Sequence, residues 1–238
     1  MDSLILVDTS YTSFYRFFAT LRWFSLNQPE IYKEKKLDPS YDWSENEIFI
    51  EKYKKMFLES IIKLVSNKVY KKSRVIFCLD TPKKDLWRNA IMKDYKAGRA
   101  DLSLKANFKP TFELTYKKLI PQLIKENPDK IFKLVMDCIE ADDVIGIISK
   151  YYEKKDPNKN IYVVSGDNDF LQLGRPNLYI CNYKNKKPVL MTKEEANIAL
   201  LTKIVSGDSS DNIPSIFVKK ITAKKKKELI ENEKLLKH

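Results

Sequence analysis

The chain has 238 residues and a formal charge of +12, with 44 Lys and Arg against 32 Asp and Glu and 43% apolar content, enough to bury a core in one large domain or a domain with an appendage. Its single histidine is the last residue, His238, which excludes Ser-His-Asp catalysis and His-ligated zinc chemistry. No apolar run approaches the roughly 18 residues of a membrane span, and the Met1-Asp2 start lacks a signal-peptide pattern, so a cytosolic or nuclear location, viral hosts included, is expected rather than secretion. Cys78, Cys138 and Cys181 lie far apart beside apolar runs and read as reduced, packed thiols, with no disulfide or zinc site. The basic surplus points to a polyanionic partner.

Residues 3–8 read as a strand ending at Asp8, and Thr9 or Ser10 is placed to cap the helix that follows, to about Trp23. That helix is dense in aromatics (Tyr11, Phe14, Tyr15, Phe17, Phe18), most of them core, with one or two near Asp8 available to a nucleobase. Residues 27–41, with Pro29 and Pro39, read as an irregular surface loop. Ser44 and Glu47 then make a capping box for a packing helix whose apolar positions run from Ile48 to Leu64. The run Arg74 to Leu79 is a second strand, delivering Asp80. From Thr81 to Lys130 twelve Lys or Arg stand against six Asp or Glu, interleaved with Trp87, Tyr95 and Phe108. That mixture suits a phosphate backbone with exposed bases, and it equally describes a solvated face whose aromatics turn inward.

A helix over 111–126, interrupted near Pro121, precedes a strand over 131–136 and a helix beginning at Asp142-Asp143. The run Ile161-Tyr162-Val163-Val164, followed by Ser165-Gly166, is a strand buried on both faces. Short edge strands over 177–183 and 187–192 and a helix over 194–205 follow. Residues 215–238 carry eight lysines, four consecutive at 224–227, as a basic helix or a frayed tail. Four of the five glycines, Gly98, Gly146, Gly166 and Gly207, sit in or beside these stretches and are read as tight turns or close backbone approaches. Strands alternating with helices imply a parallel, doubly wound sheet.

Nine acidic residues stand at the ends of apolar runs: Asp8, Asp80, Glu140, Asp142, Asp143, Asp167, Asp169, Asp208 and Asp211. One Asp-x-Asp after a strand is as well explained by a turn or a helix cap. The recurrence is not, in a chain of net positive charge. Carboxylates clustered without His or Cys are hard oxygen ligands, suited to Mg²⁺ or Mn²⁺.

Taken together, LVDTS, FCLD, WRNAIMKDYKAGRA, IEADDVIG, VVSGDNDFLQL and VSGDSSDNIP resemble the metal-dependent 5′ nuclease family, which includes flap endonucleases, phage 5′-3′ exonucleases and the 5′-nuclease domain of bacterial repair DNA polymerases. The resemblance implies a PIN-like (resolvase-like) α/β domain, a mostly parallel sheet flanked by helices with a helical arch over the active site. It further implies a catalytic domain over 1–214, an arch over about 82–118, and a basic tail over 215–238. By that likeness the nine acids hold two or more Mg²⁺ or Mn²⁺ ions, Lys96 and Arg99 act on the scissile phosphate, and Tyr15, Arg88, Lys93, Lys219, Lys220, Lys224 and Lys225 join them in contacting nucleic acid. The implied activity is phosphodiester hydrolysis of DNA or an RNA–DNA hybrid with a free 5′ end or flap, by a monomer with a replication polymerase or clamp as candidate partner. The chain departs from the family after SDNIP, where the glycine-rich helix-hairpin-helix pattern is replaced by SIFVKKITAKKKK, and in the long 27–41 segment. A PIN-like single-strand ribonuclease, a non-catalytic nucleic-acid-binding protein and an inert domain with a structural calcium site are the rival readings.

Overall fold

The structure, a computed structural model, describes residues 3–97, 106–217 and 222–232. Six strands form one sheet: β1 (Ser3–Asp8), β2 (Ser73–Cys78), β3 (Ile131–Leu134), β4 (Asn160–Val164), β5 (Leu178–Cys181) and β6 (Pro188–Leu190). Their spatial order is β3-β2-β1-β4-β5-β6, parallel through β5, with β6 antiparallel at the edge. The doubly wound sheet read from the alternation of elements is therefore present, and so is the pair of short edge strands.

Alternation along the central strands builds two cores. Ile5 and Val7 of β1 and Tyr162 and Val164 of β4 face a layer containing Phe17, Phe24, Phe49, Tyr53, Phe57 and Phe77. Leu4, Leu6, Ile161 and Val163 face the opposite layer, with Val144, Ile145 and Phe170. Because both faces are covered, these strands carry no polar residue between their ends.

The first layer comes from helices α1 (Thr9–Asn27), α2 (Pro29–Lys36), α3 (Glu47–Val65) and α4 (Asn67–Lys72). Three local expectations are corrected here. The 27–41 stretch is not an irregular loop, since Pro29 opens α2 at a helical first-turn position, where its missing N–H costs nothing. The α3 cap is Asn46, whose side chain accepts from Phe49 N at 3.0 Å, so Ser44 lies in the preceding turn instead. The α1 cap is Asp8 itself rather than Thr9 or Ser10.

After β2 the chain makes a short helix, α5 (Arg88–Ile91), and then α6 (Lys109–Leu114). Among the described residues of 82–118, the expected helical arch contains before α6 only the four-residue α5 and short turns, and Tyr95 and Lys96 fold down onto the sheet edge, 4% and 9% exposed. The interruption near Pro121 is a π-helical turn, Thr115–Leu119, joining α6 to α7 (Ile120–Glu126). Pro121 has no N–H to give to the preceding turn, and the register slips. The opposite layer is α8 (Ala141–Lys155), with α9 (Lys193–Ser206) and α10 (Ala223–Glu231) beyond. Within the tail, α10 realises the helical option and buries Leu229. Cys78 and Cys181 are buried as expected, but Cys138 is exposed, because it sits in the turn between β3 and α8 at φ 65°.

Gly207 adopts φ 73°, a conformation in which a side chain is strained. At Gly166 an added Cβ would lie 2.0 Å from the Tyr11 hydroxyl, whereas at Gly146 it would meet nothing closer than 3.8 Å, so that glycine is not the close approach its motif suggested. Gly166→Ala is expected to cost about 1–2 kcal/mol in chemical denaturation, the usual overpacking penalty, and less in a Tyr11→Ala background. Equal costs in both backgrounds would show that Tyr11 is not what the glycine accommodates.

Candidate active site

Parallel strands deliver their following loops to one edge, and β1, between β2 and β4, lies where the strand order reverses. Asp8 ends β1. Its Oδ1 accepts from Tyr11 N at 3.0 Å and caps α1, and its Oδ2 accepts from Ser165 Oγ at 2.9 Å, just beyond β4. Asp80, two residues past β2, accepts from Ala141 N at 2.7 Å and from the Ser10 hydroxyl, which also meets Tyr116 Oη at 2.6 Å. The π turn thus places Tyr116 over the first strand's end.

Glu140 caps α8, with Asp143 completing a capping box. Arg88 grips Asp143 with two nitrogens, at 2.6 and 2.7 Å, and reaches Glu140 at 3.2 Å. Lys96 is ion-paired with Glu140. Tyr95 Oη donates to Glu140 at 2.7 Å and to Asp211 at 3.2 Å. Asp167 caps the 3-10 turn Asn168–Leu173 by accepting from Asp169 N at 2.9 Å. Lys203 of α9 bridges Asp169 and Asp208, the latter at 2.6 Å.

The nine acids therefore gather, in two adjoining groups. Asp8, Asp80, Glu140, Asp142 and Asp167 line a cavity of about 360 Å³ together with Lys96. Asp142, Asp169, Asp208 and Asp211 line a second of about 280 Å³ with Arg88 and Lys203. Oxygens of Glu140, Asp142 and Asp143 lie within 4.8 Å of one another, as do those of Asp169, Asp208 and Asp211. A donor set made only of carboxylates at this spacing fits hard divalent cations and no soft metal.

Charge balance within the group is uneven. Burial pushes Asp8 up to about 7, with Asp80 and Asp142 adding repulsion against its hydrogen bonds. Burial and then Glu140 and Asp143 raise Asp142 to about 6. Lys203, followed by Ser210, holds Asp208 down at about 2. Asp208, with Lys203 beside it, is thus held acidic, while burial raises Asp8 and Asp142.

Of the residues expected at nucleic acid, Lys96 and Arg88 lie within this acidic edge. Lys93 is exposed nearby, and Lys224 and Lys225 are exposed on α10. Arg99, Lys219 and Lys220 fall outside the described residues, as does Gly98. Tyr15 is 36% exposed and stacks on Tyr183 at 3.9 Å, outside the acid-lined cavity; Tyr11, Phe14 and Phe112 form that cavity's aromatic wall instead. Sequence reasoning did not single out Lys203 or Tyr116, and it read Ser10 only as a helix cap and Ser165 only as part of a turn. Only Lys203 carried a signal, one helical turn before the Asp208 loop.

The family model for the "5'-3' exonuclease, N-terminal resolvase-like domain" matches residues 3–203. The chain belongs to this family. Among curated members, the 5'-3' exonuclease of Buchnera aphidicola subsp. Schizaphis graminum is 29% identical over 163 residues, covering 65% of this chain and 52% of the relative. The Ribonuclease H of Enterobacteria phage T4 is 29% identical over 150 residues, 62% of this chain and 48% of that one. The chain spans about half the length of the curated relatives it matches. Among solved structures, a zinc-bound T5 5'-exonuclease superposes with a TM-score of 0.60 at 16% identity over 98% of this chain and 75% of that one, which establishes the shared fold. A resolvase-like domain of this family is thus assembled here with all nine acids at one sheet edge.

The sign of the pH dependence follows from the raised Asp8 and Asp142. Each binds its proton more tightly in the folded chain than in the unfolded one, so their contribution to stability is complete below about pH 4 and is lost as pH rises through about 6 and 7. In EDTA the melting temperature is expected to fall by several degrees between pH 5 and pH 8. Asp8→Asn, which keeps the helix cap, should flatten that slope. A wild-type melting temperature that is level or rising over this interval would contradict the assignment.

Proposed function

We propose that the chain is a divalent-metal-dependent phosphodiester hydrolase, a 5′-3′ exonuclease or flap endonuclease acting on DNA or RNA–DNA hybrids with a free 5′ end. The observation that carries this reading is the convergence of two carboxylate groups around Asp142, within reach of Lys96 and Arg88. Family membership supports it, as do solved relatives described as metal-bound and, in one case, as a flap endonuclease complex with DNA and metal ions. Asp8, Asp80, Glu140, Asp142 and Asp167 would hold one Mg²⁺ or Mn²⁺ ion, Asp142, Asp169, Asp208 and Asp211 another, with Asp143 orienting Arg88. Such ions would acidify water for in-line attack and draw charge from the phosphate and the departing 3′ oxygen.

The protein's own groups do the rest. Lys96, buried beside Glu140 and over the Tyr95 ring, places its ammonium against the first cavity and would offset charge developing on the scissile phosphate. Arg99, next along the same segment, is assigned the same role from the motif. Arg88 holds Asp143 and Glu140 in place while its partly exposed guanidinium faces the second cavity. Tyr11, Phe14 and Phe112 give the first cavity an apolar wall on which a base can stack, and Tyr15 offers an exposed ring nearby. Residues 1–214 are the proposed catalytic unit, and the basic appendage with Lys219, Lys220, Lys224 and Lys225 would attract duplex phosphates by charge.

A 5′-labelled flap duplex decides the matter. With Mg²⁺ the wild type is expected to release a short labelled product, and neither EDTA-treated protein nor Asp167→Asn should do so. Lys96→Ala should slow the reaction by about 10²–10³-fold, the range seen when a group that stabilises transition-state charge is removed. Binding of the duplex without any metal-dependent product would sink the hydrolase reading and favour a binding protein of the same fold.

A further inference from the structure

Arg175 is 3% exposed and Ser149 2% exposed, yet Nε and Nη2 of the guanidinium and Oγ of the serine have no hydrogen-bond partner among the described residues. Proteins rarely bury polar groups in this way, because each such group has given up water and received nothing in return. Both side chains form the wall of one cavity of about 310 Å³, shared with Lys150, Lys193, Gln172 and Glu153. Three cations against one carboxylate leave a local surplus of positive charge, and none of the three is ion-paired among the described residues.

The backbone fixes this arrangement. At Gly174 an added Cβ would lie 2.3 Å from the Thr192 carbonyl oxygen, so only glycine brings the chain this close to the start of α9. Pro176 restricts Arg175 to extended backbone. Between them Arg175 is fed beneath α9, where Thr192 caps the helix and Lys193 opens it. Ser149 and Lys150 come from the middle of α8. Burial lowers the Arg175 pKa, with Glu153 and Asp156 only partly opposing, as befits a guanidinium short of negative partners.

We propose that this cavity is a phosphate-binding site in which Arg175 and Ser149 donate hydrogen bonds to the phosphate oxygens and Lys150 and Lys193 balance its charge. A guanidinium fork matches tetrahedral oxyanions, and two flexible ammonium groups at the rim accommodate the remaining charge. The site is distinct from the carboxylate edge. Arg175 precedes β5 at the amino end of β4, where Asn177 O accepts from Ile161 N at 2.8 Å, at the far end of the sheet from Asp8 and Asp167. A groove along α8 connects the two. Lys150, Gln172 and Leu173 are common to this cavity and to one of about 350 Å³ that reaches Arg88, Asp142 and Asp143. From Asp143 to Lys150 the helix rises roughly 10 Å. A strand leaving the carboxylates along this groove presents its backbone phosphates to Arg175. That choice of source, unlike the phosphate site itself, rests on the nuclease reading above.

The test is calorimetric titration of inorganic phosphate into the full chain in EDTA, against chloride at matched ionic strength, for wild type, Lys150→Gln/Lys193→Gln, Ser149→Ala and Arg175→Lys. Affinity for a labelled flap duplex in EDTA is measured in parallel. Phosphate should bind the wild type at one site and bind the lysine pair variant about tenfold more weakly, the loss expected for two charge-assisted contacts. Because Lys150 and Lys193 are exposed, that variant remains informative if Arg175→Lys fails to fold. No phosphate binding beyond the chloride control, or equal affinity in wild type and the lysine pair variant, overturns the site. Phosphate binding that depends on the lysines while duplex affinity does not keeps the site and assigns it to free phosphate rather than to a strand. Wild type that binds phosphate but never cleaves the flap duplex with Mg²⁺ defeats the nuclease reading alone.

Discussion

The constraint on which the structure depends is the mutual repulsion of carboxylates held at one edge of a buried sheet. Arg88, Lys96 and Lys203 are lodged among them, the first two pairing with the acids at the start of α8 and the third with Asp169 and Asp208. Where a cation is present the acid is stabilised as an anion, as Lys203 does for Asp208. Where none is, at Asp8 and Asp142, burial wins and the pKa climbs. Positive charge placed beside Asp8 and Asp142 would therefore offset the cost of burying them, and both line the first acid cavity.

The same acids hold the fold together. Asp8, Glu140 and Asp167 each begin a helix or 3-10 turn, where the backbone N–H groups of the first turn favour a negative charge. Asp80, which caps nothing of its own, takes the Ala141 N–H and so ties the end of β2 to the start of α8. An acid used in this way can be replaced by its amide with the cap retained, whereas alanine removes the charge and the cap together. Amide variants therefore separate chemistry from folding at these positions.

The sheet, its two-sided burial and the nine acids were legible because each leaves a local mark: β-branched runs of strand length, and carboxylates just past their ends. What was not legible depended on distance in sequence or on one residue's neighbours. Proline and polar residues in 27–41 read as loop, yet the first turn of α2 tolerates Pro29. Asn46 outcompeted Ser44 because the helix begins two residues later than the Ser-x-x-Glu spacing suggested. Lys203 is paired with Asp169 across 34 positions, a contact no window of sequence reveals. Tyr15 and Tyr11 are near neighbours on α1, and Tyr183, arriving after β5, stacks on both, yet only Tyr11 lines the acid cavity, a difference set by the helix's rotation against the sheet.

The two acid groups are also coupled mechanically through the segment that bears Lys96. Lys96 N donates to Asp211 O at 3.3 Å, Lys83 Nζ to Lys96 O at 3.0 Å, and Asn212 Nδ2 to Asp94 O at 3.1 Å. Tyr95 adds a hydroxyl shared between Glu140 and Asp211. Lys96 and Asn212 both sit at positive φ, 56° and 62°, a conformation asparagine adopts readily but lysine seldom, so the contacts to the Asp211 segment help hold Lys96 there. These bonds tie the segment carrying Lys96 directly to the loop carrying Asp208 and Asp211. The lysine beside the first cavity and the acids of the second are thus held by one hydrogen-bonded unit, although their segments lie more than a hundred residues apart in sequence.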